Sequence, residues 1–466
     1  MTLSLYYFSI FIGTVLFCVG MVFFLKKPFN YLAISAAKQL DILLTKTLSE
    51  EEKDRQILRN LTSLLKWLFL SIFLLSIVIV CGVLPTVIHL QYYPNIEADT
   101  SSVYFYISMI IGSFALFFFR NKDDYSYWSK ILHTIILDNY AIGIYLFKRE
   151  IKKYSKNETY PEGKPFIIVT GLARAGTTAL TNLLYDKQNF HSINYSNVPF
   201  LMAPNTWKKI YNSKKSRKRE RAHGDQVQFD ENSIEALEEY FFKAHFDDQY
   251  ITTNTLEVHD VNEEILRKYY TYQDLFKSRE DTYYLAKNNN FILRYNSLRK
   301  QNKSFKMIVV FRNPLDHAKS ILKQHENFIK KQTEDSFVLD YMNWLGHYEF
   351  GLNQKHFDFD GEELFLKYDK TTLPYWLGIW LNYYSYIITL ENWDNIYLVD
   401  YNDLLNKPKK LKETLAREFD VEMVDRQLPE YKSKNNKKKV DDVEDVLLKR
   451  VMATYDILLE KKFQIE

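Results

Sequence analysis

The stretch Phe166-Ile167-Ile168-Val169-Thr170-Gly171-Leu172-Ala173-Arg174-Ala175-Gly176-Thr177-Thr178-Ala179-Leu180 decides how the rest of the chain is read. Its first residues are apolar or β-branched, which suits a buried strand. Gly171 and Gly176 then bracket a turn, and Thr177 onward has the composition of a helix start. Glycines permit backbone angles that a side chain blocks. A turn of this kind aims its backbone N–H groups, that of Ala175 among them, and the helix N-terminus at an anion. Thr177 and Thr178 add hydroxyl donors, and Arg174 adds a positive charge inside the loop. A nucleotide triphosphatase loop reads GxxxxGK[ST], with lysine after the second glycine. Here that position is Thr177, and the cation stands earlier, at Arg174. No acidic residue after the loop is obviously placed to serve magnesium. The loop suits an anion held without a metal better than ATP with magnesium.

Beyond this loop, short apolar runs alternate with helical patterns. Pro165 to Thr170, Tyr283 to Ala286, Phe305 to Phe311 and Ile396 to Asp400 read as buried strands. Thr178 to Tyr185, Ser233 to Phe246, Leu315 to Lys331, Trp376 to Asn392 and Lys409 to Phe419 read as helices. Strands without polar alternation, separated by helices, argue for a parallel sheet covered on both faces. The class is α/β, a P-loop domain with a central parallel sheet. One strand, Met307 to Phe311, runs into Arg312-Asn313-Pro314 and then a helix carrying Ser320. Pro314 suits a first helical turn. Arg312 at the strand end and Ser320 two turns on can converge on one anion.

These blocks together resemble the PAPS-dependent sulfotransferase family, of a membrane-anchored bacterial type. The family pattern is a 5′-phosphosulfate loop G-x-x-R/K-x-G-T-T after the first strand, then a strand ending in R-x-P with Ser eight residues past the Arg. The matching residues are Gly171, Arg174, Gly176, Thr177 and Thr178, and then Arg312 and Ser320. The family often has Asp between Arg and Pro, where this chain has Asn313. Tyr397 to Leu404 resembles a later family block reading V-x-Y-E-D-L, with Pro408 shortly after it. The resemblance covers about Lys164 to Phe419. It implies that the first site holds the 5′-phosphosulfate of 3′-phosphoadenosine-5′-phosphosulfate (PAPS). Arg312 and Ser320 would then hold the 3′-phosphate, a group that a kinase acting on ATP has no use for. Arginine bidentate to phosphate is a strong charge-assisted contact.

Sulfuryl transfer resembles phosphoryl transfer, an in-line displacement in which the protein positions reactants and neutralises developing charge. Arg174 is the candidate to stabilise the bridging oxygen as the bond breaks. The family's lysine after a middle strand resembles Lys287 in Leu285-Ala286-Lys287-Asn288. A general base should take the acceptor's proton. In relatives with a glutamate base, that residue comes about twenty positions after the loop, but Asn194 to Pro199 offers no carboxylate here. In the block Glu220-Arg221-Ala222-His223-Gly224-Asp225, His223 is the first candidate, then Asp225, then Glu220. Imidazole has the right ordinary pKa for the task. Two basic runs, Lys208 to Arg221 and Lys432 to Lys439, suit anionic lipid heads, an acidic glycan or water alone. Lys434 or Lys437 lies where family members close a basic loop over the 3′-phosphate.

The amino-terminal part has a different composition. Met1 to Leu25, Trp67 to Ile88 and Ser101 to Phe119 carry no charge. Each is long enough to cross the hydrocarbon core, for which about 20 helical residues suffice. Neither a basic start nor a small-residue cleavage site marks a signal peptide. The expected organisation is three transmembrane helices within residues 1–120 (about 3–25, 67–88 and 101–119). An interfacial or core-packed helix and a linker occupy 121–164, and the P-loop domain 165–466. Eight Lys and Arg lie between the first two runs, from Lys26 to Lys66, and none in His89 to Thr100. That bias puts the catalytic domain on the cytoplasmic side.

The chain has 466 residues, 26% charged, with a net charge of +3, which gives no face-wide basic excess and predicts no nucleic-acid partner. Its two cysteines, Cys18 and Cys81, lie inside apolar runs and staple no soluble domain, and no metal-ligand spacing of Cys and His occurs. The expected function is sulfuryl transfer from PAPS to a hydroxyl or amine of a membrane-associated glycan or lipid. The alternatives are an ATP-using P-loop kinase and a non-catalytic nucleotide-binding membrane protein.

Overall fold

A computed structural model describes residues 2–45, 48–95, 100, 102–113, 127–154, 163–210, 219–220, 228–229, 234–279, 281–361, 363–391, 393–422, 424 and 443–465. The chain divides into two compact units, residues 1–142 and 143–466.

The first unit is helical. Thr2–Gly20 continues through a π-helical turn, Met21–Leu25, into Lys26–Leu44. Glu50–Tyr92 is one helix of 43 residues. The charged stretch between the first two apolar runs, read from sequence as a loop, is therefore mostly helical. Local chemistry explains why. The Ser49 side chain accepts the Glu52 N–H as an N-cap, Glu50, Glu51 and Glu52 fill the first turn, and Gln56 donates to Glu52 one turn on. Leu3–Leu44 and Glu50–Tyr92 are long and apolar enough to cross a membrane. The third run is described only as Val103–Ser113, with residues 114–126 outside the described residues. Packing in this unit uses small residues. A Cβ on Gly13 would stand 2.1 Å from the Gly82 carbonyl oxygen, and one on Gly112 would stand 2.7 Å from Thr14 Cβ. Phe69, Phe73, Val80 and Val83 remain exposed along one helix.

Two helices, Tyr127–Leu137 and Tyr140–Tyr154, lie within 121–164. They break at Asp138-Asn139, where Asn139 donates to the Ile135 carbonyl at 2.7 Å. The second helix extends into the stretch read as a linker. Phe147 packs edge-on against Phe241 and Tyr272, and buried Glu150 accepts the N–H groups of Asn205 and Thr206. Those contacts hold the helix through Tyr154.

The second unit is built on five strands: β1 Phe166–Thr170, β2 Phe190–His191, β6 Tyr283–Lys287, β7 Lys306–Phe311 and β9 Ile396–Asp400. They form one sheet, all of it parallel, in the order β2-β6-β1-β7-β9. Two small sheets pair β3 Arg219–Glu220 with β4 Gln228–Phe229, and β5 Thr255–Glu257 with β8 His356–Asp358. β1 is buried at every residue, as its unbroken apolar run requires. On one face Ile167 and Val169 join Leu180, Leu183, Leu404, Leu411 and Leu415 in a core. Thr170, with the opposite parity, meets Tyr383 on the helix Leu373–Thr389, and Tyr384 donates to the Val310 carbonyl at 2.8 Å. After β1 the chain goes first to β2 and β6 on one side and then crosses to β7 and β9 on the other, so the strand order reverses beside β1. In open α/β sheets that point, at the carboxyl ends of the strands, is where ligands bind.

Candidate active site

The loop after β1 is shaped by its backbone. Gly171 has φ 150° and Gly176 φ 110°. A Cβ at Gly171 would stand 2.6 Å from the Val310 carbonyl oxygen, and one at Gly176 would stand 2.5 Å from a Tyr401 ring carbon. Only glycine fits at either place. Arg174 also has a left-handed backbone, φ 73°, a conformation that costs energy in a residue with a side chain and that gathers at functional loops. Ala175 N–H donates to the Leu172 carbonyl at 3.0 Å, closing the turn. The helix Thr177–Leu184 comes next, with Thr177 buried and Thr178 half-buried at its start.

The second candidate anion site stands on a capped helix. Asn313 accepts the N–H groups of Leu315 (3.1 Å) and Asp316 (3.3 Å), and Pro314 opens the helix Pro314–Glu334. Asparagine serves as an N-cap as well as aspartate does, which accounts for Asn313 at this position. Arg312 lies with its guanidinium 4.8 Å from the Tyr401 ring centre. Burial and the nearby positive Arg174 lower its pKa, against the pull of Tyr401 and Asp316. Arg174 donates from Nε to Ser320 Oγ at 3.4 Å. Arg174 is thus brought beside Arg312 and Ser320, and Gly171, Ala175, Gly176, Thr177 and Thr178 adjoin it in the same loop and helix start. Two guanidinium groups repel each other there, and an anion placed between them would relieve the repulsion.

Lys287 ends β6 beside Val169 of β1. Its Nζ lies 2.8 Å from Glu235 Oε2, and both side chains are almost wholly buried, at 10% and 5% exposure. Glu235 lies in irregular backbone, because the helix expected from Ser233 begins only at Glu239. The reason is a knot of buried polar groups from Glu235 to Glu239. Asn288 donates to Glu238 and Glu239, Tyr269 and Tyr284 donate to Glu238, and Arg294 forms a two-bond pair with Glu239 at 2.7 Å each. Burial pushes the Glu238 carboxyl up to about 7, against those hydrogen bonds. Next along, Asn289 donates to Glu349 at 2.9 Å, and His347 Nδ1 lies 3.6 Å from the same oxygen. Burial alone would raise Glu349, but His347 and Asn289 hold it down at about 2.

His223 and Asp225 lie outside the described residues, as do Lys434 and Lys437. Glu220 is described through its backbone alone, paired with Gln228. Sequence reading missed Glu235, whose signal is present in Ile234-Glu235-Ala236-Leu237-Glu238-Glu239-Tyr240-Phe241. Three carboxylates within an apolar run demand buried partners. It also missed His317, which is buried and whose Nε2 lies 2.8 Å from the Ala173 carbonyl oxygen.

Residues 164–441 match the model of the sulfotransferase domain. None of the curated proteins matches the chain. Similar solved structures include sulfotransferase STF1 from Mycobacterium tuberculosis H37Rv, at 14% identity and a TM-score of 0.34, covering 71% of this chain and 86% of that one. Another is a sulfotransferase from Alicyclobacillus acidocaldarius, at 12% identity and 0.30, covering 64% and 94%. A third is sulfotransferase STF9 from Mycobacterium avium, at 11% and 0.35, covering 72% and 77%. With well over half its length matched by that domain, this chain belongs to the sulfotransferase family.

Proposed function

We propose that the chain transfers a sulfuryl group from PAPS to a hydroxyl or amine on a membrane-associated glycan or lipid. What supports this most is the hydrogen bond from Arg174 Nε to Ser320 Oγ. It joins the loop after β1 to the helix after β7, as a ligand with anions at both its 5′ and 3′ ends requires. PAPS supplies an activated sulfuryl group on a bisphosphate leaving group. The N–H groups around Gly171 to Thr178 and the Arg174 guanidinium are the candidates to hold the 5′ end. Arg312 and Ser320 are the candidates for the 3′-phosphate. As the sulfur–oxygen bond to the leaving group breaks, Arg174 and Lys287 neutralise the charge that develops there.

The acceptor's proton needs a base, and Glu235 is the described carboxylate nearest the role. It is ion-paired with Lys287, so a lysine drawn toward the sulfuryl group leaves the carboxylate able to take a proton. Glu235→Gln should keep adenosine 3′,5′-bisphosphate binding within about threefold and lower transfer by at least about a hundredfold. Undiminished transfer in that variant would return the role to His223, Asp225 or Glu220.

The two long apolar helices and the third uncharged run of the sequence, Ser101 to Phe119, anchor the chain by three crossings, with residues 165–466 facing the cytoplasm. The lysines and arginines between them support that orientation. A reporter fused to the C-terminus and active only outside the cytoplasm would overturn it. The activity itself is tested by incubating the full chain in membranes with PAPS carrying radioactive sulfur. Label should move to a lipid or glycan fraction, and less of it in Arg174→Ala. Label retained in the donor, with phosphate moving from ATP instead, would contradict the proposal.

A further inference from the structure

The histidine inside the helix that carries Ser320 is unexplained by anion binding alone. His317 is 0% exposed and makes its hydrogen bond to a backbone carbonyl of the phosphate loop, that of Ala173. Ala173 directly precedes Arg174, and His317 stands one turn before Ser320 on the helix Pro314–Glu334. Burial pushes its pKa down to about 3, with Arg312 and Arg174 adding to the fall against the pull of the Ala173 and Leu172 carbonyls. The ring is therefore neutral, and its one N–H belongs on Nε2, facing the Ala173 carbonyl. Among the described residues Nδ1 finds no hydrogen-bond partner. A buried imidazole with one nitrogen unsatisfied is a poor choice for mere filling. Its position explains it better. A neutral donor reaches the loop within the field of two guanidinium groups, where a lysine or arginine would add a third positive charge.

We infer that His317 is a positioning residue, a strut that fastens the phosphate loop to the helix of Ser320 so that the two anion subsites are built as one. The strut rests on the sulfotransferase reading, because only a ligand with a 5′ and a 3′ anion engages both ends. In the wild type the loop is held in place whether or not the 3′ subsite is filled. Without the strut, a ligand that bridges the subsites must itself bring loop and helix into register, and its affinity falls by that cost. A monophosphate that engages one subsite does not bear it.

The test measures dissociation constants of adenosine 3′,5′-bisphosphate, adenosine 5′-phosphate and adenosine 3′-phosphate by titration calorimetry on the detergent-solubilised full chain. The wild type is compared with His317→Leu and His317→Gln. In His317→Leu the bisphosphate should weaken by about tenfold, which is about 1.4 kcal/mol. Each monophosphate should change by less than about threefold. Glutamine can place an amide N–H near the position of Nε2, and His317→Gln should recover most of the bisphosphate affinity. If His317→Leu does not fold, His317→Asn takes its place, since its shorter amide does not reach the carbonyl. Equal weakening of all three ligands, or an unchanged bisphosphate affinity, would overturn the strut while leaving the sulfotransferase reading intact. A wild type that binds bisphosphate no better than the 5′-monophosphate would remove that reading, and the strut with it.

Discussion

The two ends of this site handle charge in opposite ways. Around the loop after β1, two like charges, Arg174 and Arg312, stand close together, with a hydroxyl and an aromatic ring among their neighbours. At the end of β6 and just beyond it, two cations have opposite partners: Lys287 with Glu235, Arg294 with Glu239. The first region gathers positive charge, as a place to receive an anion must. In the second, the Arg294–Glu239 pair is framework, buried tolerably only because its charges are matched, whereas Lys287 and Glu235 are matched at rest and part in the transfer proposed above. Substitution should therefore separate them, with binding lost at the first and stability lost at the second.

The largest effect is expected in the framework. Arg294→Ala leaves Glu239 buried without its two-bond partner, and loss of one member of such a pair costs about 3–5 kcal/mol. Urea unfolding should show it, and a variant as stable as wild type would break the contrast. Arg312→Ala should do the reverse. It should raise the dissociation constant for adenosine 3′,5′-bisphosphate by about ten- to a hundredfold, as expected for a charge-assisted contact. Its unfolding free energy without ligand should stay within about 1 kcal/mol of wild type or rise, because one like-charge neighbour of Arg174 is gone.

A pH dependence should belong to the framework as well. Glu238 binds its proton more tightly when folded, at about 7, than an ordinary carboxyl does when unfolded. Its contribution is full below the unfolded value of about 4.3 and is lost as pH rises through about 7. Stability should therefore fall across that window, and Glu238→Gln should flatten the slope. An identical slope in the variant would show that Glu238 does not carry it. The smallest effect is expected at Asn313. Asn313→Asp keeps an acceptor for the Leu315 and Asp316 N–H groups and should change stability by less than about 0.5 kcal/mol.

The same division separates what was legible in the sequence from what was not. The phosphate loop, β1, β6, β7 and β9 are contiguous and could be read from glycine spacing and unbroken apolar runs. Arg312 follows the end of β7 and Ser320 lies on the next helix, so their nearness in sequence could be read directly. The matched charges and the His317 bond were not legible, because the partners are far apart in the chain: 52 residues for Lys287 and Glu235, 55 for Arg294 and Glu239, and 144 for His317 and the Ala173 carbonyl. The helix expected from Ser233 begins later for the same reason. Glu235 and Glu238 turn away to meet partners at β6, and a local pattern of apolar spacing does not reveal that. Strand β2, with two residues, was too short to signal itself.

The proposed function requires the loop after β1 and the helix after β7 to form one site for a donor with anions at both ends. The most direct test is thermal unfolding of the purified full chain with adenosine 3′,5′-bisphosphate or with ADP, in wild type and Arg312→Ala. At a hundred times its dissociation constant a ligand adds about 2.7 kcal/mol to the folded state, which is visible as a melting shift. Selective stabilisation by the bisphosphate, lost in Arg312→Ala, is the predicted result. No shift, or an equal shift with ADP, would contradict it.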